Sequence, residues 1–190
     1  MTTIRIAWAS TLVAAALLTT ACTAPSTPDT SPSPSASADS GAGVEDQSAP
    51  PIVEQTVVPD PRYPDNTAEI GIQSLTVDGP IMTLEYVVTP DFPSESDSDT
   101  IYLGDAMGAS AVFVASNLKL IDRANLKEYS VIYGDAQWWG TRDSVTTVNG
   151  TPLHAFAVFA APEDDIDTVA VVMSDQFPEF TDVPITRAEK

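Results

Sequence analysis

The chain has 190 residues, with 8 basic and 27 acidic side chains, which gives a formal net charge of −19 at pH 7. A surface of this charge repels nucleic acid and anionic membranes, because Lys and Arg are the residues that bind both. The single cysteine excludes an intrachain disulfide and a paired-cysteine metal or redox site. We therefore expect no nucleic-acid partner, and we expect any membrane attachment to come from lipid.

The N-terminus has the pattern of a targeting segment rather than of a folded element. Arg5 precedes an apolar run of 13 residues, Ile6–Leu18, which is shorter than the ~20 residues of a membrane-spanning helix. The run ends in Thr19-Thr20-Ala21-Cys22, which resembles the bacterial lipobox, although Thr19 stands where leucine is commonest. Residues 1–21 are thus predicted to be a lipoprotein signal peptide, cleaved before Cys22. The alternative is an ordinary signal peptide that is cleaved elsewhere.

Cys22 is the predicted lipid-attachment residue. By the resemblance to the lipobox, it would carry a thioether-linked diacylglycerol and an amide-linked acyl chain. Each buried methylene contributes ~0.8 kcal/mol, and two chains anchor a protein stably where one is marginal. Cleavage would remove Arg5 alone among the charged residues, so the mature chain would carry 7 basic and 27 acidic side chains, a charge of −20.

Residues 22–67 are predicted to form the acylated end and a disordered tether. The first half of this segment is rich in Ser, Thr and Pro and has hardly an apolar side chain beyond alanine. Such a segment cannot bury enough apolar surface to offset its ordering entropy, and its prolines favour polyproline II. Ile52, Val57 and Val58 could form an early strand, which the prolines that follow would interrupt.

Residues 68–186 are predicted to be short strands separated by turns. Apolar residues alternate in one half-buried strand, at Met82, Leu84, Tyr86 and Val88. Ile72 and Leu75 fall out of phase, which indicates a bulge or bend, and Asn149-Gly150 predicts a hairpin turn. No window predicts an amphipathic helix, apart from one short helical turn within residues 105–116. About seven to nine strands over roughly 120 residues favour an all-β fold, an antiparallel β-sandwich, with residues 187–190 as a tail.

Three segments of this region resemble an immunoglobulin-like module of actinobacterial surface lipoproteins, over roughly residues 69–186. They are Asn117–Asp122 continuing to Tyr129–Val131, Phe156–Pro162 followed by acidic residues and Thr168–Val172, and Phe177–Ile185. The resemblance implies an immunoglobulin-like β-sandwich behind the signal peptide and the linker, and it supplies no catalytic residues. In some of those proteins the module precedes an OmpA-like peptidoglycan-binding domain. This chain ends at Lys190, so we expect that wall binding cannot be carried over.

The titratable residues give little indication of chemistry. His154 is the only histidine and lies in a predicted strand, where a structural role is commoner than that of a general base. Two acidic clusters could offer oxygen ligands to a hard cation such as Ca²⁺, but neither has EF-hand spacing. We interpret them as solvated loops: Glu95, Asp97 and Asp99 in one, and Glu163, Asp164, Asp165 and Asp167 in the other.

The pair Trp138-Trp139 leaves two interpretations open. Adjacent residues of a strand point to opposite faces, so one ring would be in the core and the other exposed. On a loop, both rings could cap the sandwich while partly buried, which we favour, or could stack on a sugar ring or anchor a partner. Asn149-Gly150-Thr151 matches a glycosylation sequon and is better interpreted as a turn.

Together these features predict a non-enzymatic lipoprotein on the outer face of the cytoplasmic membrane. It would be anchored through Cys22 and would present one immunoglobulin-like domain for binding or scaffolding in the envelope, with a protein or glycan partner and without a cofactor or metal. Two alternatives remain. One is an enzyme acting on envelope polysaccharide through acidic residues and Trp138 or Trp139, and the other is a calcium-dependent adhesin.

Overall fold

The computed structural model describes residues 50–93, 99–108 and 114–188, and within them the chain is almost entirely β-structure. The predicted signal peptide, Cys22 and most of the predicted tether lie outside the described residues. The strands are β1 (Val53–Val57), β2 (Thr67–Asp78), β3 (Ile81–Asp91), β4 (Thr100–Tyr102), β5 (Lys119–Asp122), β6 (Lys127–Ser130), β7 (Tyr133–Gly134), β8 (Gln137–Trp138), β9 (Thr146–Val148), β10 (Leu153–Ala160), β11 (Thr168–Val172), β12 (Phe180–Pro184) and β13 (Thr186–Arg187). Two four-residue helices complete them, α1 (Leu103–Ala106) and α2 (Val114–Asn117). The predicted all-β class is confirmed.

The larger sheet has the order β1-β2-β3-β10, and all of these neighbours are antiparallel. β2 and β3 form a long hairpin whose turn places Gly79 at a φ of 57°, a conformation that glycine adopts without a steric penalty. The register of β2 shifts between Ile72 and Ser74. This irregularity explains why Ile72 and Leu75 are out of phase in the sequence, and it confirms the predicted bulge.

The second sheet has the order β12-β11-β5-β6, again antiparallel. Both sheets contribute to one hydrophobic cluster, in which Leu84 and Tyr86 of β3 are buried together with Leu120 of β5 and Val171 of β11. The four alternating residues of β3 are at most 1% exposed, as their pattern predicts. The sheet faces that carry apolar side chains therefore share the core.

Two small two-stranded sheets lie in the connections between the larger ones. β4 pairs with β9, and β7 pairs with β8. The segment around β8 also reaches the edge of β10, through a bridge between Gly140 and Ala157. Asn149-Gly150 forms a turn with Gly150 at a φ of 73°, but the predicted hairpin is wrong, because β9 pairs with β4 whereas β10 pairs with β3.

The folded region begins earlier than the predicted boundary at residue 68. β1 pairs along β2 from Val53 opposite Ile72 to Val57 opposite Ala68, and the Val57 side chain is buried. The prolines that were expected to interrupt this strand follow it in the sequence, so they remove no hydrogen bond from it. At the other end, β13 pairs in parallel with β2 and extends the fold to Arg187.

Candidate functional site

An open groove of about 620 Å³ lies between the β7–β8 hairpin, α2 and the loop that follows β8. Its lining combines aromatic rings with donors and acceptors of hydrogen bonds, namely Tyr133, Gln137, Trp138, Arg142 and Asp143. Grooves of roughly 300–1,000 Å³ that join apolar walls to a few polar groups are the usual binding sites for small molecules. The groove is therefore our candidate functional site.

The β7–β8 hairpin sets the aromatic wall of the groove. Its two turn residues, Asp135 and Ala136, have φ values of 52° and 61°, as a two-residue hairpin turn with left-handed residues requires. The turn places Tyr133 directly opposite Trp138, with ring centroids 4.8 Å apart and ring planes inclined by 56°. Trp138 packs against the hydrophobic core, whereas Tyr133 is 59% exposed. The indole thus supports an aromatic surface that faces solvent.

Close backbone packing fixes the part of the groove next to β10. A Cβ atom on Gly140 would lie 2.9 Å from the carbonyl oxygen of Phe156, so glycine is needed where the two segments meet. Thr141 adds two hydrogen bonds with the same residue: its backbone N–H donates to the Phe156 carbonyl (2.8 Å), and its hydroxyl accepts from the Phe156 N–H (2.9 Å). These contacts hold the start of the Arg142 loop on β10.

The loop carrying Arg142 and Asp143 is fixed from its other side by α1. The N–H of Gly104 donates to the carbonyl of Asp143 (3.1 Å), and the N–H of Leu103 donates to the carbonyl of Val145 (2.9 Å). The Arg142 guanidinium donates to Oε1 of Gln137 across the groove lining (3.3 Å). A cation and a carboxylate thus lie on a backbone that is held at both ends.

Arg142 differs from most basic residues of the described chain in its electrostatic partners. Arg62, Arg123, Lys127 and Arg187 each form an ion pair with an Asp or Glu, at distances from 2.5 to 3.4 Å. Within the same described residues, Arg142 has no such pair, and its hydrogen bond goes to a neutral amide. The carboxylate of Asp143 also lines the groove, so Arg142 offers hydrogen-bond donors there rather than an uncompensated charge.

The two tryptophans point to different surroundings. Trp139 is 42% exposed, and its backbone carbonyl accepts a hydrogen bond from the N–H of Val158 on β10 (2.8 Å). Its indole Nε1 lies near Gly134 of β7, 3.5 Å from where a Cβ atom of that residue would be. Of the two interpretations, the strand alternation describes the pair: Trp138 packs on the core and Trp139 faces solvent. The favoured interpretation, with both rings partly buried, holds for Trp138 only.

His154 lies on β10, and its Nδ1 is 2.9 Å from Oε1 of Gln73, near the bulge in β2. This contact with a neutral amide fixes the orientation of the ring. The structure thus places this histidine in a polar contact between strands, and outside the groove lining.

The acidic cluster of residues 163–167 is used partly in ion pairs. Asp164 pairs with Lys127 (2.5 Å) and Asp165 with Arg187 (3.4 Å), while Glu95 and Asp97 lie outside the described residues. Over the part of the chain that the structure describes, no group of three or more His, Cys, Asp or Glu side chains could hold a metal ion.

A second groove, of about 660 Å³, lies between the β5–β6 loop and the segment before β11. Its buried member Asp122 accepts hydrogen bonds from the backbone N–H (3.0 Å) and the side-chain amide (2.8 Å) of Asn125. The side-chain hydrogen bond from Asn125 is the main cause that lowers the pKa of Asp122. This carboxylate stabilises a turn, so it is poorly suited to act as a general acid.

The sequence indicated Trp138 as a candidate but missed Tyr133, Gln137, Arg142 and Asp143. A local signal existed for Tyr133, because Tyr133 and Trp138 flank the four residues Gly-Asp-Ala-Gln at hairpin spacing. No local signal marks Arg142 or Asp143, since their positions depend on hydrogen bonds to α1 and β10.

No protein-family model, curated protein or solved structure matches the chain. Among the described residues, no helix is long and apolar enough to cross a membrane. The fold and the site thus define an all-β protein with an aromatic and polar groove beside its larger sheet.

Proposed function

We propose that the protein is an envelope lipoprotein, anchored through Cys22 on the outer face of the cytoplasmic membrane, with a non-catalytic immunoglobulin-like domain for binding or scaffolding. The N-terminal pattern carries this proposal. An apolar run too short to span a membrane ends at the only cysteine of the chain, and a Ser/Thr/Pro-rich segment follows it.

The strand order supports an immunoglobulin-like sandwich. Immunoglobulin-type sandwiches place strands A, B and E in one sheet and C, F and G in the other. With β2, β3 and β10 as A, B and E, the first sheet has this order. The strands of the second sheet then become C (β5), C′ (β6), F (β11) and G (β12), and the observed order β12-β11-β5-β6 is G-F-C-C′. The short strands β4, β7, β8 and β9 lie outside this assignment. In this assignment β1 and β13 are additions at the edge of strand A.

The length of the linker fits presentation of the domain at a distance from the membrane. The 30 residues 23–52 separate Cys22 from the first strand. As a flexible coil, a linker of this length spans roughly 30 Å, and prolines extend it further. The domain would then be held within the layer outside the membrane.

Several titratable residues already have a hydrogen-bond or ion-pair partner, which supports a non-catalytic role. His154 contacts an amide, Asp122 stabilises a turn, and Asp164 is ion-paired. A glycosidase needs two carboxylates roughly 5–10 Å apart in its cleft. Among the described residues, Asp143 is the one carboxylate that lines the groove beside β8. Four aspartates line the second groove, namely Asp122, Asp165, Asp167 and Asp182, but Asp122 stabilises a turn and Asp165 pairs with Arg187.

The anchor is tested by replacing Cys22 and fractionating cells. We expect Cys22→Ser to abolish incorporation of labelled palmitate and to move the protein out of the membrane fraction. Globomycin, which inhibits the lipoprotein signal peptidase, should make the precursor of the unmodified chain accumulate. The double variant Cys22→Ser with Ser26→Cys is the control, since it keeps a cysteine near the site without restoring the pattern. Membrane retention of Cys22→Ser, or palmitate labelling of the double variant, would contradict the proposal.

A further inference from the structure

We propose that the groove formed by Tyr133, Gln137, Trp138, Arg142 and Asp143 binds a neutral saccharide. The saccharide would be the ligand of the binding domain proposed above. The saccharide proposal depends on the proposed function in one respect only, namely that the groove lies outside the cell.

The aromatic wall suits the apolar face of a sugar ring. A pyranose presents C–H groups on its faces and hydroxyl groups around its rim, and an indole or phenol ring can cover the former. Trp138 is backed by the core, so its orientation costs little further ordering, and Tyr133 extends the wall into solvent. The volume of about 620 Å³ falls within the range typical of small-molecule sites.

The polar side chains match hydroxyl groups rather than any single charged group. Arg142 can only donate hydrogen bonds, the oxygens of the Asp143 carboxylate accept them, and Gln137 can do both. A sugar hydroxyl donates and accepts, so neighbouring hydroxyls can engage all three side chains. The existing hydrogen bond between Arg142 and Gln137 leaves further guanidinium N–H groups free to donate.

Charge favours a neutral ligand over an acidic one. Arg142 and Asp143 both line the groove, and their opposite charges offset each other there. The chain as a whole carries a net charge of −19, which repels polyanions at a distance. A uronic-acid polymer would meet one cation within a strongly acidic surface, whereas a neutral sugar meets no such barrier.

The groove is also built on a fixed framework. The hairpin turn, the contact of Gly140 with β10 and the hydrogen bonds from α1 hold the lining on three sides. Asp135 and Ala136 adopt the left-handed backbone conformations that a two-residue hairpin turn requires.

The test uses the full-length protein, purified in a detergent without a sugar headgroup, on an array of immobilised neutral and uronic-acid oligosaccharides. The oligosaccharides that bind on the array are then titrated in solution while tryptophan fluorescence is recorded. We expect saturable binding to neutral members and a fluorescence change on binding. We expect Trp138→Ala and Arg142→Ala each to weaken binding by at least about tenfold.

Trp139→Ala is the matched control, because it removes an indole from the neighbouring position, which does not line the groove. It should leave the affinity unchanged. Arg142 is exposed and has no ion pair among the described residues, so Arg142→Ala keeps the test decisive if Trp138→Ala fails to fold.

Three results would overturn the proposal: no saturable binding to any neutral member, a preference for uronic-acid oligosaccharides, or equal losses in the Trp139 and Arg142 variants. The Cys22→Ser protein, which should be soluble, is measured beside the wild type. Saccharide binding that survives in this variant separates the groove from the anchor, so failure of one proposal can be told from failure of the other.

Discussion

At the scale of single residues, Asp122 shows how a buried carboxylate can serve structure. It ends β5, and both of its carboxylate oxygens accept hydrogen bonds from Asn125. These bonds favour the ionised form and lower the pKa below its ordinary value. The β5–β6 turn is thus stabilised by a charge that is largely screened from solvent by its neighbours.

The sign of the pH dependence follows from the lowered pKa of Asp122. A group whose pKa is lower in the folded state stabilises the fold above its unfolded pKa of ~3.9 and loses that effect as pH falls through the folded pKa. Asp122→Asn should therefore lower the urea midpoint at pH 7, with a difference from wild type that shrinks below about pH 4. Urea unfolding monitored by fluorescence at several pH values measures this.

Asp65→Asn is the control for this experiment, because Asp65 is an exposed carboxylate. Its urea midpoint should stay close to that of the wild type throughout. A gap between Asp122→Asn and wild type that persists undiminished at pH 3 would contradict the assignment, since Asp122 would then act through something other than its charge.

Only part of the candidate groove could be predicted from short stretches of the sequence. Trp138 stands out in the sequence as an aromatic residue in an unusual pair. Arg142 and Asp143 do not stand out, because contacts with Leu103, Gly104 and Phe156, distant in the chain, decide where they lie. Sequence patterns report periodicity over a few residues, and these contacts lie beyond that range.

At the scale of elements, the long strands were predictable and the short ones were not. β3 and β10 bury alternate or nearly continuous apolar residues over eight positions or more, which gives a periodic signal. β7, β8 and β13 have two residues each, too few to show any period. A short stretch of sequence also does not reveal which strands pair with each other. For this reason Asn149-Gly150 predicted a hairpin between β9 and β10, which belong to different sheets.

β1 gives an element-scale prediction, because it lies where a disordered tether was expected. Val57 of β1 is buried in the core, so Val57→Ala should lower the free energy of unfolding by about 1.5–2.5 kcal/mol, from the lost methyl groups and the cavity left behind. Thr56→Ala, at the exposed neighbouring position, should change it by less than about 0.5 kcal/mol. Equilibrium unfolding in urea measures both.

Hydrogen exchange tests independently whether β1 is part of the fold. Amides of residues 53–57 that bond to β2 should be protected, because they are paired over the whole of β1. Rapid exchange throughout residues 53–57, together with equal stabilities of the Val57 and Thr56 variants, would mean that this segment belongs to the disordered tether and not to the fold.

At the scale of the whole molecule, fold class and charge follow from the sequence, but they constrain different properties. Turn spacing and β-rich composition predict the all-β class, and composition alone gives the net charge. The order of strands in the two sheets depends on long connections, such as the one from β3 to β5, which carry no periodic signal. The immunoglobulin-like sandwich therefore remains a proposal, which the strand order and the resemblance of three segments support.

The net charge also bears on stability. Of 27 acidic side chains, few can be neutralised by 8 basic ones, and the four ion pairs of the described residues lie at the surface, where such pairs contribute little. The excess of like charge destabilises the compact state through self-repulsion. Dissolved salt screens this repulsion, since the Debye length falls from ~30 Å at 0.01 M to ~3 Å at 1 M.

We therefore expect the melting temperature at pH 7 to rise as NaCl is raised from about 0.01 M to about 1 M, with most of the rise below about 0.2 M, where screening changes fastest. Scanning calorimetry measures this. The same series near the isoelectric pH is the control, because the net charge there is close to zero and the rise should disappear. A melting temperature that falls with salt at pH 7 would mean that the surface ion pairs outweigh the repulsion. An equal rise at both pH values would point instead to a general effect of salt on apolar burial.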